Sequence, residues 1–213
     1  MSIARGLDAW YRADGNTNDA SGNGVNATWN IGTAKYADGK YGQAFDFDNT
    51  NAMTTGSETI GDGLFAGSDR RWTVSFWAKI PAGDSRGSII ARDSGTSPSW
   101  NFVLFYQSEV AGRNPCIVVR GTVTNTNAGT EDGNWHHHTV TWDGTTCRYY
   151  VDGVFFMNIG VGSASENTGV NILIGKRHGS AALLTGQIDN TLIENYARTP
   201  SQIKTLYALG SPL

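Results

Sequence analysis

The sequence predicts an all-β protein: an antiparallel β-sandwich of jelly-roll type with one short C-terminal helix. Three observations carry this. Short β-rich runs recur along the whole chain, each closed by Gly, Pro, Ser, Asn or Asp. The composition joins 27 Gly to 7 Trp, 8 Tyr and 8 Phe, the mix expected of many strands linked by tight turns. Helical periodicity occurs once, near the C-terminus. A length of 213 residues suits a single domain over 1–213, because sandwiches of this size are commonly undivided.

In chain order, Gly6 to Arg12 reads as a first strand, and Asp14 to Asn26 is almost entirely turn formers. Gln43 to Asp48 is a short strand. Trp72 to Ile80 is the clearest strand, and its incomplete polar–apolar alternation predicts cover on both faces. Ser88 to Arg92, Trp100 to Gln107 and Cys116 to Arg120 follow. Trp135 to Trp142, Asp143-Gly144 and Thr146 to Val151 form a hairpin, because Asp-Gly tolerates the positive φ of a two-residue turn. Asp152-Gly153 predicts a second turn into Val154 to Ile159. Val170 to Gly175 and Gly186 to Asn195 complete the strands. Thr199 to Leu209 is the helix: Thr199 caps it, Pro200 takes the first position, Ile203, Leu206 and Tyr207 share a face, and Gly210 ends it. Between Ala111 and Gly133 no motif is recognisable.

The composition excludes several classes. With 39% apolar and 16% charged residues the chain has enough material for a core. A net charge of −3, with Arg and Lys scattered singly, argues against nucleic acid. No apolar run reaches the roughly 20 residues of a membrane helix, and Met1 to Asp8 lacks the pattern of a signal peptide. Cys116 and Cys147 make no disulfide framework and no four-thiolate zinc site; they are either one bridge or two small buried hydrophobes.

Several separated motifs, in order, resemble the concanavalin A-like lectin/glucanase superfamily, in particular its laminin-G-like jelly-roll branch. Asp19-Ala20-Ser21-Gly22-Asn23-Gly24 with Asn26-Ala27-Thr28 is similar to the family's opening D-x-S-G-N-G segment. Gly39 to Phe45 resembles its G-x-x-G-x-A-x-x-F segment, and Trp72 to Lys79 its F-T-I-S-F-W-V-K strand. Asn134 to His137, Thr141 to Gly144 and Tyr150 to Gly153 resemble W-H-H-V…T-Y-D-G…Y-V-D-G, and Gly186 to Asp189 with Asn195 to Ile203 the closing G-x-I-D…N-R-A-L-S-x-x-E-I. The set spans about nine-tenths of the chain. It implies a fold, whereas function resides in sites grafted onto it.

The resemblance brings three chemistries to test. Glucanases of the superfamily carry paired acids, and retaining glycosidases need two carboxyl groups about 5–5.5 Å apart. This chain has five Glu, none with another within ten residues, and the nearest approximation is Asp189 with Glu194; no catalytic residue is expected. Calcium in this branch often sits between the opening loop and the closing Ile-Asp strand, which implies Asp19, Asn23 and Asp189, although Asp19 to Gly24 is also an ordinary Asx-turn sequence. His136 and His138 would share one strand face, but no third zinc ligand is visible and the family motif accounts for His136 and His137 as strand residues. Glycan binding needs flat aromatic faces beside polar groups. Trp29, Trp100, Tyr106 and Trp135 stand near polar turns, with Trp100 foremost, while Trp10, Trp72, Trp77 and Trp142 fall in strand motifs and read as core.

These readings favour a non-catalytic structural or binding protein. Free-standing modules resembling this one occur on phage virions as capsid decorations or tail adhesins. The leading expectation is therefore a virion surface component contacting other virion proteins or copies of itself. The alternative is a carbohydrate-binding module, calcium-assisted or not, acting at a cell surface or outside the cell. A glycoside hydrolase comes last.

Overall fold

The computed structural model describes residues 6–56, 70–82, 87–93, 100–105, 116–164, 168–178 and 183–210. Fifteen strands and a helix lie in these residues: β1 (Leu7–Tyr11), β2 (Ala27–Ile31), β3 (Tyr36–Asp38), β4 (Gln43–Asp48), β5 (Ala52–Thr55), β6 (Trp72–Lys79), β7 (Ser88–Asp93), β8 (Trp100–Phe105), β9 (Cys116–Val119), β10 (Thr122–Asn125), β11 (Trp135–Trp142), β12 (Cys147–Val151), β13 (Val154–Ile159), β14 (Leu173–Ile174), β15 (Thr185–Glu194) and α1 (Pro200–Leu209). One sheet of eight strands runs β13-β12-β11-β6-β15-β4-β3, with β1 added beside β15; the other, of seven, runs β10-β9-β8-β7-β14-β5-β2. The ladders are antiparallel, and the sandwich predicted from the turn spacing is the fold observed.

The core lies between the two sheets. Phe45, Phe47, Val74, Phe76, Ala78, Ile188 and Ile193 from the eight-stranded sheet meet Met53, Ile89, Ile90, Ile117 and Ile174 from the other. Cys147 belongs to this core, while Cys116 packs with Ala91 and Val118 in a separate buried cluster. The two cysteines are not bridged, so they act as the small hydrophobes of the second reading.

Local chemistry explains the elements that the sequence marks most strongly. Asp152 and Gly153 both take positive φ, 50° and 76°, the pairing a tight two-residue hairpin turn requires. Helix α1 starts with a capping box: the Thr199 hydroxyl accepts from the Gln202 N–H, and the Gln202 side chain accepts from the Thr199 N–H. Gly210 ends it in the left-handed conformation, φ 67°, donating to the Leu206 carbonyl.

Strand β6 is buried on both sides, as its pattern implies. Its inner residues enter the core. Part of its outer face lies under α1, where Tyr207 stacks on Trp77 at 5.4 Å and Leu206 joins Leu7 and Leu192. The strands β2, β3, β5 and β10 have no counterpart in the predicted set, and the predicted run Val170 to Gly175 forms a ladder only at Leu173–Ile174.

Candidate functional site

The loop after β1 is organised by one carboxylate. Asp19 Oδ1 accepts from the N–H groups of Trp10, at 2.9 Å, and Ser21, at 2.8 Å; its Oδ2 accepts from the Ser21 hydroxyl at 2.7 Å and the Val25 N–H at 3.1 Å. Four donors occupy the acceptor capacity of a carboxylate. The Asn23 amide donates to the carbonyls of Leu7 and Asp8, tying the loop to β1.

Asp189 serves a different part of the molecule. It lies on the outer face of β15, fully buried, and its Oδ2 accepts from the Tyr41 N–H at 2.8 Å in the β3–β4 turn. Burial raises its carboxyl to about 7, against the pull of those N–H donors. Its Oδ1 has no hydrogen-bond partner, nor do Trp77 Nε1 and Ser75 Oγ on the same face. The three residues expected to hold calcium thus do not form one donor set: Asp19 is saturated, Asn23 presents N–H groups to the nearby carbonyls, and Asp189 binds a separate turn. A hard cation needs six to eight free oxygens, and among the described residues no group of three His, Cys, Asp or Glu is placed to hold a metal.

The histidine run splits as strand alternation requires. His138 points inward, stacked on Phe76 at 5.3 Å, its Nδ1 2.7 Å from the Tyr149 hydroxyl. His136 has Asp152 at 2.8 Å on Nδ1 and Asp132 at 3.3 Å on Nε2. His137 lies outward between Trp77 and Tyr207. Burial lowers His137 to about 4 and His138 well below its ordinary range, so both are neutral at physiological pH. Each ring is engaged with its own neighbours, as the family-motif reading expects.

The acids Asp189 and Glu194 are also committed. Glu194 has no exposed surface, and Arg198 grips it with two hydrogen bonds of 2.5 and 2.6 Å. The Arg198 backbone N–H donates to Thr73 Oγ1, which itself donates to the Tyr196 carbonyl.

The aromatic candidates separate. Trp29 points inward at the margin of the core, with Tyr36, Phe45 and Phe47 within 6.1 Å of its ring. It serves packing and presents no open plate. Trp100 lies on β8, whose side chains are outside the described residues, and Tyr106 lies outside them altogether. Trp135 is different: half-buried, on the outer face of β11, with no side-chain hydrogen bond or ring contact among the described residues.

Register sets Trp135 in a row. It pairs with Lys79 on β6, Lys79 with Gln187 on β15, and Gln187 with Asp46 on β4. The flanking residues Ala78, Ile188 and Phe45 enter the core, so alternation turns this row outward. Lys79 is exposed and makes no ion pair among the described residues; Gln187 and Asp46 are half-buried. Gln187 Nε2 donates to Asp46 Oδ1 at 3.5 Å, while Gln187 Oε1 is buried without a partner. Three strand spacings make the row about 14 Å long. Sequence reasoning found Trp135 but not the other three residues.

Comparisons with known proteins agree with the fold. The family model described as the concanavalin A-like lectin/glucanases superfamily matches residues 47–204. No curated protein matches the chain. Among solved structures, domain 4 of AbnA, a GH43 extracellular arabinanase from Geobacillus stearothermophilus, in complex with arabinotriose, is 20% identical with a TM-score of 0.74, covering 95% of this chain and 98% of that one. The binding domain of Paraclostridial Mosquitocidal Protein 1 is 16% identical with a TM-score of 0.70, covering 97% of this chain and 52% of that one. A Trypanosoma rangeli sialidase is 16% identical with a TM-score of 0.67, covering 95% and 32%. The chain therefore spans about half of the toxin domain and a third of the sialidase.

Proposed function

The chain belongs to the concanavalin A-like lectin/glucanase superfamily, and from that premise we propose that it is a non-catalytic carbohydrate-binding module. The observation that carries this reading is Trp135, a half-buried indole on the outer sheet face with no side-chain hydrogen bond or ring contact among the described residues, beside the exposed Lys79. A sugar ring stacks on such a face while hydroxyls meet the neighbouring polar atoms. The resemblance to an arabinanase domain in complex with arabinotriose supports the same class of ligand. The role is non-catalytic in this reading because Glu194 is locked by Arg198 and Asp189 is engaged with the β3–β4 turn. Binding is metal-independent in this reading, since Asp19 already accepts four hydrogen bonds and Asp189 is engaged at a separate turn. Affinity electrophoresis against immobilised polysaccharides, with calcium and with chelator, tests the proposal. Retardation lost in Trp135→Ala and unchanged by chelator supports it. No retardation by any polysaccharide, or retardation only with calcium, counts against it.

A second reading, a surface component of a virus particle, is favoured by the edge strand β13. It leaves Val154, Phe155 and Phe156 exposed at 68%, 50% and 42% at the end of the eight-stranded sheet. An open apolar edge of this kind recruits another strand, and a second copy offers the same edge for antiparallel pairing about a two-fold axis. Light scattering across a concentration series distinguishes the readings. A dimer lost in Phe155→Lys supports assembly; a monomer at every concentration removes it.

A further inference from the structure

Resting on the glycan reading, we infer that the ligand is a neutral saccharide lying across the strands from Trp135 over Lys79 and Gln187 to Asp46. The row is a hydrogen-bonding strip whose groups the fold leaves unused. Trp135 Nε1 and Lys79 Nζ are donors with no protein acceptor among the described residues. Next along the row, Gln187 Oε1 is buried without a partner, and its amide Nε2 is turned to Asp46. The Asp46 carboxylate has one contact, at the outer limit of hydrogen-bond length. Two unused donors at one end and a carboxylate acceptor at the other need a ligand whose groups both donate and accept. Hydroxyls along a sugar do this; a purely apolar or purely anionic ligand does not.

Charge narrows the class. Within the row the Lys79 ammonium is balanced by the Asp46 carboxylate, and next to it on β4 Asp48 is already paired with Lys35. The strip is neutral as a whole, so an acidic sugar that gained at Lys79 would lose at Asp46, whereas a neutral one costs no counter-charge. Position narrows it further. The neighbouring row, His137–Trp77–Asp189, is closed by Tyr207 of α1 and by Lys40, whose Nζ lies 4.5 Å from the Trp77 ring. The Trp135 row lies beside this closed one and keeps an exposed residue, Lys79, at its middle.

Titration calorimetry of the full chain with neutral pentose and hexose trisaccharides, and with trigalacturonate, tests the inference. The expected result is binding of a neutral trisaccharide and none of trigalacturonate. Lys79→Met, at an exposed position, and the isosteric Asp46→Asn each weaken it by about tenfold, as the loss of one charge-assisted hydrogen bond does. Tighter binding of trigalacturonate, lost in Lys79→Met, overturns the neutral class and leaves the glycan reading standing. Neutral binding that neither variant alters, with Trp135→Ala abolishing it, overturns the Lys79–Asp46 strip alone. Absence of binding to every saccharide overturns both.

Discussion

Two adjacent stretches of one sheet face have opposite fates. Both lie on the outer side of β11, β6 and β15. Under helix α1 and its flanks the ionisable groups are neutralised or paired: His137 is held neutral between aromatic rings, Glu194 is bound twice by Arg198, and burial raises the Asp189 carboxyl to about 7, although Asp189 Oδ1, Trp77 Nε1 and Ser75 Oγ stay buried without partners. In the row next to them, Trp135, Lys79 and the Gln187 oxygen remain uncommitted. The strands are the same, so the difference comes from cover. A sheet face that meets another element must neutralise or pair its polar groups; a face left open can keep them for a ligand. In the proposed reading stability and recognition are divided between neighbouring rows, so that each can be perturbed without the other.

The largest effect belongs to the covered stretch. Arg198→Met leaves the Glu194 carboxylate buried without its counter-charge, which costs about 3–5 kcal/mol of stability in urea unfolding. Because the penalty comes from the orphaned charge, the double variant Glu194→Met, Arg198→Met recovers most of it. A double variant as unstable as the single one would show that shape, not charge, holds α1 in place.

Asp189 gives the next largest effect, and its sign is opposite to that of a salt-bridged acid. Burial raises its carboxyl to about 7 in the folded protein, whereas the unfolded chain releases the proton near 3.9. Between these values the folded state holds a proton that the unfolded state does not, so stability falls as pH rises and levels off above about 7. The decline is on the order of 4 kcal/mol, taking about 1.4 kcal/mol per unit over the gap between the two values. Asp189→Asn cannot ionise, and its unfolding free energy should lack this slope and exceed that of the wild type at pH 8. Equal slopes in the two proteins would show that Asp189 is ionised in the folded state, as a cation ligand would be.

How much of this was legible depended on whether the cause was local. Asp152-Gly153, the Thr199–Gln202 box with Pro200, and Gly210 are decided within a few residues, and they formed where the sequence placed them. The strands Ala27–Ile31, Ala52–Thr55 and Thr122–Asn125 are short and partly polar, and become strands because a neighbour pairs with them. The candidate site fails for the same reason. Asp46, Lys79, Trp135 and Gln187 are 141 positions apart at the extremes, and only the ladder register aligns them. Trp29 and Trp135 both look like aromatics beside polar residues in sequence. One turns into the core and the other out of it, a distinction set by which face of which sheet each strand presents. Asp19 and Asp189 carry the right atoms for an oxygen ligand, but nothing local reveals that four donors fill the Asp19 carboxylate or that Asp189 is tied to the turn at Tyr41.

The smallest expected effect sharpens the contrast most. Trp135→Ala and Lys79→Met remove side chains that make no hydrogen bond, ion pair or ring contact among the described residues. Lys79 is exposed, so its replacement should move the unfolding free energy by less than about 0.5 kcal/mol. Trp135 is half-buried, so truncation costs part of its packing, about 1 kcal/mol from apolar area alone. Neither approaches the loss expected for Arg198→Met, yet both should weaken saccharide binding. If Lys79→Met destabilised the chain as strongly as Arg198→Met, the open row would be a second structural network, and the division of this face into a part that holds the fold and a part that holds a ligand would fail.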